Sequence, residues 1–147
     1  MQLSTKGRYA VMAMTDLAGH GADRPVSLAE IAERQQLSLA YLEQLFARLR
    51  RQGLVVSHRG PGGGYRLARP AKETNVAEVV MAVDEPLKAT RCGGHGVKGG
   101  CMKGGAKCLT HDLWEETGRQ IHSYLASVSL ADVLEGRLRP NTPAVAA

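Results

Sequence analysis

Four side chains able to hold a metal centre fall close together in this 147-residue chain: Cys92, Cys101, Cys108 and His111. They include all three of its cysteines. Thiolates are soft donors and select zinc, copper(I) or iron–sulfur centres over magnesium or calcium. The run Cys108-Leu-Thr-His111 puts a thiolate and an imidazole three residues apart at a helix start, so both can reach one ion or cluster. Three cysteines with one histidine form a common structural zinc set, and the same set can carry a cluster. The gaps of eight and six residues between the cysteines lack the tight Cys-x-x-Cys knuckle of many zinc folds. Between Cys92 and Cys108, seven of fifteen residues are Gly and three are Lys. Such a segment buries little apolar surface and loses much entropy when ordered, so something other than a core must hold it. Long glycine spans suit an object larger than one ion, and Lys98, Lys103 and Lys107 would offset its negative charge. On spacing alone, a cluster, a zinc ion and unligated thiols all remain open. His95 and Met102 read as bystanders.

The rest of the chain must position that stretch. An apolar share of 44% supports a real core in one domain with an appended arm. The net charge of +5 is uneven: residues 1–69 hold ten Lys/Arg against five Asp/Glu, residues 109–147 three against five. A basic first half suggests a polyanionic partner on one side. Clustered, odd-numbered thiols do not suit a secreted disulfide framework, and the apolar run Ala10–Met14 is too short for a signal peptide or membrane span. The expected location is the cytoplasm, with no membrane partner. Paired carboxylates, a nucleophile–base arrangement and a nucleotide loop are all missing, so an enzyme is not expected.

Apolar residues at Ala10, Ala13, Met14, Leu17 and Ala18 predict a first helix over 5–18. Lys6 and Arg8 sit at its start, where the helix dipole disfavours cations unless phosphate is near. The capping box Ser27-Leu-Ala-Glu30 opens a second, short helix. Ser38 caps a third, whose stripe Leu42, Leu45, Phe46 and Leu49 ends at Gly53. Two helices across so short a turn predict a helix-turn-helix, whose second helix enters the DNA major groove. The outer face of that helix carries Ser38, Tyr41, Glu43, Gln44, Arg48 and Arg51. Gln can pair with adenine, Glu can accept from cytosine, and Tyr, Ser and Arg can hold phosphates. A β-hairpin follows, from Leu54 to Arg59 and from Tyr65 to Leu67, around the tip Gly60-Pro61-Gly62-Gly63-Gly64. A tip without bulk lets backbone approach a groove, and Arg59 at its edge suits a narrow minor groove. A phosphate loop would need a helix after the glycines, and here a strand follows.

A second capping box, Asn75-Val-Ala-Glu78, predicts a scaffold helix ending before Pro86; Asp84 and Glu85 read as surface charges without chemistry. Leu109–Val128 is the longest helical pattern, with Trp114, Ile121 and Val128 at heptad spacing and Tyr124 between them. Such a seam suits a partner helix, and Gly118 would admit a partner backbone, so a homodimer is expected. Ser129 starts one more short helix ending at Gly136, and a tail runs from Arg137 to Ala147. The fold class expected is mainly α with a small β-hairpin wing: a winged helix-turn-helix domain plus a long C-terminal dimerisation helix. Its expected parts are 1–86 for DNA and scaffold, 87–111 for the Gly/Cys loop, 112–136 for dimerisation and the short terminal helix, and 137–147 for the tail.

Several runs carry a family resemblance: Leu3-Ser-Thr-Lys-Gly-Arg-Tyr-Ala-Val11, Leu37-Ser-Leu-Ala-Tyr-Leu-Glu-Gln-Leu-Phe46, Arg59-Gly-Pro-Gly-Gly-Gly-Tyr65, Ala89-Thr-Arg-Cys92 and Lys107-Cys-Leu-Thr-His-Asp-Leu-Trp114. Over roughly residues 1–135 the chain resembles the IscR-type iron–sulfur cluster regulators, winged-helix transcription factors related to the nitric-oxide sensors of NsrR type. The resemblance implies a homodimer carrying a [2Fe–2S] cluster on Cys92, Cys101, Cys108 and His111, supplied by cluster-assembly proteins. It implies DNA reading by residues matching Ser38, Tyr41, Glu43, Gln44 and Arg59, with Glu43 separating two operator classes by cluster state. Members repress cluster-assembly genes when loaded and regulate other promoters when empty. The loop here is longer than in the best-known members, and Ala40 stands where many relatives have serine.

Overall fold

The computed structural model describes residues 4–85, 87, 89–90 and 100–138. Cys92, His95, Lys98 and most of the expected tail lie outside the described residues. The elements are α1 (Thr5–His20), α2 (Leu28–Gln35), α3 (Leu39–Arg51), β1 (Val55–His58), β2 (Gly64–Leu67), a 3-10 turn (Ala71–Glu73), α4 (Val76–Ala82), α5 (His111–Ser127) and α6 (Leu130–Leu134).

The helix-turn-helix forms as its caps dictate. The Ser27 hydroxyl accepts from the Glu30 amide at 3.2 Å while the Glu30 carboxylate accepts from the Ser27 amide at 2.9 Å. Gln36 takes a left-handed conformation, φ 55°, which ends α2 and swings the chain into α3. Ser38 then caps α3 by accepting from the Tyr41 amide at 3.3 Å. Leu42, Leu45, Phe46 and Leu49 of α3 bury against Ala10, Ala13, Met14 and Leu17 of α1, Ile31 of α2, and Val79 and Val83 at α4. Asp16, only 5% exposed, ties α2 to α1. Its carboxylate accepts from Arg34 Nη2 at 2.7 Å and Gln35 Nε2 at 2.8 Å. Burial pushes the Asp16 carboxyl up, but the hydrogen bonds from Arg34 and Gln35 outweigh it and leave it below its ordinary range.

The wing is the antiparallel pair β1–β2, in register Val55↔Leu67 to His58↔Gly64. The structure adds a short third edge: Tyr65 exchanges backbone hydrogen bonds with Val26 at 2.7 and 2.9 Å. A Cβ at Gly64 would run into the Val26 carbonyl, so this crossing requires glycine. The Tyr65 ring meets Phe46 edge-on at 5.0 Å, fixing the wing to the recognition helix.

Three expectations change. Glu85 is no idle surface charge: its carboxylate accepts from the Ser4 amide at 2.7 Å, the Gly7 amide at 2.9 Å and the Ser4 hydroxyl. It closes the start of α1, with the Lys6 charge nearby. Burial raises the Glu85 carboxyl, and the bonds from Ser4 and Gly7 then bring it below its ordinary value. Val128 lies just past the end of α5 and packs with Val76 and Val80 of its own chain, 8% exposed, so it is not on an open seam. Gly118 is likewise buried within its own chain.

Return of the chain after α5 explains this. The Val76 amide donates to the Val128 carbonyl and the Leu130 amide to the Thr74 carbonyl, each at 2.9 Å. Leu130 is fully buried in the main core beside α1, and Leu134 lies over Gly19. Helix α6 is therefore a structural part of the helix-turn-helix core, although α5 separates it in sequence.

Leu130→Ala should lower unfolding stability by about 3 kcal/mol in urea titration, as for other large-to-small core changes. Asp16→Asn should lower it by about 3 kcal/mol at neutral pH, because Arg34 loses its buried counter-charge. The Asp16 carboxyl sits below its ordinary 3.8, so its stabilisation is present above that value and is lost as pH falls through the lower folded value. Urea midpoints of wild type and Asp16→Asn should consequently converge as the medium is acidified.

Candidate metal centre and DNA-binding face

On the side expected to face DNA the fold leaves several side chains unengaged. Glu43 and Gln44 are exposed on α3 and make no side-chain hydrogen bond or ion pair among the described residues. Arg59 and the tip Gly60, Pro61 and Gly62 are exposed on the same domain. Gly60 and Gly62 have φ +101° and +71°, which glycine alone takes at low cost, and the Gly63 amide closes the turn on the Gly60 carbonyl at 2.9 Å. Ser38 is exposed, but its hydroxyl already caps α3. Tyr41 is half-buried, its ring edge-on to Tyr9 at 6.0 Å, which sets the direction of its phenol. Arg48, read from sequence as part of the outer face, turns back instead: it bonds the Val83 carbonyl at 3.2 Å and Asp84 at 3.0 Å. Arg66 likewise points to the Asp23 carbonyl at 3.0 Å.

The metal-ligating candidates gather at the start of α5. Residues 100–108 fold back on themselves: the Met102 amide donates to the Ala106 carbonyl at 2.9 Å and the Gly105 amide to the Met102 carbonyl at 3.0 Å. Gly100 is buried against Gly105 so closely that a Cβ would strike its backbone. This part of the loop is thus ordered by its own backbone, which composition did not reveal. The turn returns Cys101 to Cys108, whose amide donates to Cys101 Sγ at 3.4 Å. Cys101 Sγ also lies 3.0 Å from His111 Nδ1. His111 is the first residue of α5 and only 4% exposed. A cleft of about 310 Å³ opens here, lined by Thr90, Cys101, Met102, Cys108, Thr110, His111 and Trp114. The Cys101 thiol beside Cys108, then the backbone at Thr110, hold the Cys108 thiol below its ordinary value. Thr110, at the N-cap position of α5, makes no side-chain capping bond. Lys107 pairs with Asp112 at 3.2 Å, and that contact raises its pKa.

Two thiols and one imidazole at this spacing are a soft donor set that fits zinc or a cluster iron. A harder set overlaps it: donor atoms of His111, Asp112 and Glu115 lie within 4.8 Å of one another, both carboxylates exposed. On the seam expected for a partner helix, Trp114 and Tyr124 are 43% and 36% exposed and Ile121 is half-buried. Leu109 and Leu113, missed by the heptad reading, are more exposed than either.

The sequence profile of Rrf2, described as an iron-dependent transcriptional regulator, matches residues 3–136. The chain belongs to the Rrf2 family. The HTH-type transcriptional regulator IscR of Xenorhabdus nematophila is 56% identical over 137 residues, covering 93% of this chain and 81% of that protein. IscR of Photorhabdus laumondii is 54% identical over the same shares. Among solved structures, T. potens IscR superposes with a TM-score of 0.74 at 40% identity, covering 93% of this chain and 88% of that one. CymR, the global cysteine regulator of B. subtilis, gives 0.77 at 29% identity, covering 92% and 98%. The Rrf2 assignment makes this a DNA-binding transcriptional regulator with a winged-helix fold, and not an enzyme. None of the described helices is long and apolar enough to cross a membrane.

Arg59→Ala should reduce the slope of log affinity against log salt by about 1 and weaken binding most on duplexes with a narrow minor groove, read by fluorescence anisotropy. Gln44→Ala should instead change preference at one base pair by about 1–3 kcal/mol while leaving the salt slope in place.

Proposed function

We propose that this Rrf2 regulator senses iron–sulfur cluster supply through a [2Fe–2S] cluster on Cys92, Cys101, Cys108 and His111, and controls cluster-assembly genes accordingly. The observation that carries this reading is the convergence of Cys101, Cys108 and His111 on one cleft, with Cys101 Sγ 3.0 Å from His111 Nδ1. Cys92, two residues beyond the cleft-lining Thr90, supplies the fourth ligand in this reading. When bound, the cluster supplies iron that accepts thiolate and imidazole donors and can be gained or lost with cellular supply. The chain's own part is to hold the donors: the 100–108 turn aims Cys101, and the first turn of α5 fixes His111.

The regulator acts as a homodimer through the exposed face of α5 around Trp114, Ile121 and Tyr124. Each subunit offers Ser38, Tyr41, Glu43 and Gln44 to a major groove and Arg59 with the tip 60–62 to the neighbouring minor groove. Glu43, exposed and unengaged, is the residue that separates operator classes by cluster state. Two-fold symmetry then requires half-site centres about 34 Å apart or a multiple of it. In these terms residues 1–86 bind DNA, 87–111 carry the centre and α5 pairs the subunits while 128–136 return to the DNA-binding core, with cluster-assembly proteins as donors and the cytoplasm as location.

A structural zinc ion on the same residues is the second reading, favoured by the carboxylates of Asp112 and Glu115 beside His111. Anaerobic purification separates the two. Protein isolated without air should be red-brown, absorb in the visible, and contain iron and acid-labile sulfide in equal amounts. A colourless protein with stoichiometric zinc would sink the cluster reading and leave the zinc one.

A further inference from the structure

The recognition helix is gripped from behind by a stretch of chain that also walls the metal cleft. Arg48, near the end of α3, donates to the Val83 carbonyl at 3.2 Å and pairs with Asp84 at 3.0 Å. The next residue, Glu85, closes the start of α1 through the Ser4 and Gly7 amides. Leu87 packs on Val76, Val80 and Val128, where α4 meets the end of α5. Thr90 lines the cleft with Cys101, Cys108 and His111. Within eight residues the chain therefore touches the recognition helix, α1, the α4–α5 contact and the candidate metal centre.

Asp84 is the unusual point in this path. Its φ of +61° lies in the left-handed region, which few non-glycine residues take and which asparagine and aspartate tolerate best. The contacts to either side, Arg48 on its carboxylate and Glu85 on α1, keep it there. Contacts made by adjacent residues of one short stretch can be made or lost together.

We infer that Asp84 and Glu85 are positioning residues that couple the centre at Cys101, Cys108 and His111 to the recognition helix through Arg48. Filling the centre fixes the Thr90 wall and keeps the latch closed; emptying it lets the latch relax and loosens the hold on α3. This rests on the cluster-sensing reading.

The test uses the full chain, loaded anaerobically with ferrous iron and sulfide or cleared with a chelator. The DNA is a duplex selected from a random library with wild-type protein. Iron content and visible absorption are read first, then the ratio of loaded to cleared DNA affinity, then amide hydrogen exchange across residues 39–51. In wild type the ratio should differ from one by about tenfold, with exchange in α3 slower when loaded. Asp84→Gly suits the left-handed backbone but removes the partner of Arg48. It should bring the ratio to within about twofold of one while iron uptake persists. Asp84→Asn keeps both the conformation and an acceptor, and should restore most of the ratio; Glu85→Gln should outperform Glu85→Ala in the same way. If Asp84→Gly leaves the ratio as in wild type, or shifts both states by one common factor, the latch is wrong. A wild-type ratio near one with iron bound overturns it too. Failure of wild type to take up iron refutes the cluster-sensing reading itself, and the latch falls with it.

Discussion

Two backbone hydrogen bonds, from Val76 to the Val128 carbonyl and from Leu130 to the Thr74 carbonyl, decide how the long helix stands on the DNA-binding core. They pin the end of α5 to the start of α4 and send the chain back into the core through Leu130. The seventeen residues of α5 then run roughly 25 Å from that anchor, so the helix start lies at the far end of a rigid rod. His111 sits there, with Cys101 and Cys108 folded against it. One element is thus fixed to the DNA-binding core at one end and carries the metal-ligating residues at the other.

On the basic half of the molecule the scaffold itself engages several arginines. Arg34, Arg48, Arg66 and Arg69 are spent on Asp16, Asp84, the Asp23 carbonyl and Glu78. Each of these contacts orients one element on another. Glu43, Gln44 and Arg59 have no such work to do, and all three lie on the recognition helix or wing.

Local signals were the legible ones. The capping boxes at Ser27 and Asn75, the stripe from Leu42 to Leu49 and the glycine tip at 60–64 specify their elements within a few residues, and the structure places helices, turn and wing where they indicate. Long-range pairings left no periodic trace. Glu85 is the second of two acids after a short helix, and its partner Ser4 lies at the other end of the domain. The bridge from Val26 to Tyr65 involves a single residue pair, too short for any strand pattern. Heptad spacing placed Val128 with Trp114 and Ile121, but spacing cannot tell that the helix stops at Ser127. The donor chemistry of Cys101, Cys108 and His111 was readable from residue type; the backbone turn that brings them together was not, because glycine-rich composition says only what such a chain loses on ordering.

Acceptors close the starts of the other helices. Glu30 and Ser27 serve α2, Ser38 serves α3, Asn75 and Glu78 serve α4, Ser129 and Asp132 serve α6, and Glu85 reaches across to α1. Helix α5 departs from that habit, since Thr110 forms no side-chain cap and the first-turn acid Asp112 is drawn off by Lys107. Its first turn consequently keeps its positive pole without a side-chain cap, with Asp112 and Glu115 as the carboxylates nearest His111. The end of the rod that carries His111 is thus the one long-helix start left without a side-chain acceptor among the described residues, and the ligand cleft opens at that same end.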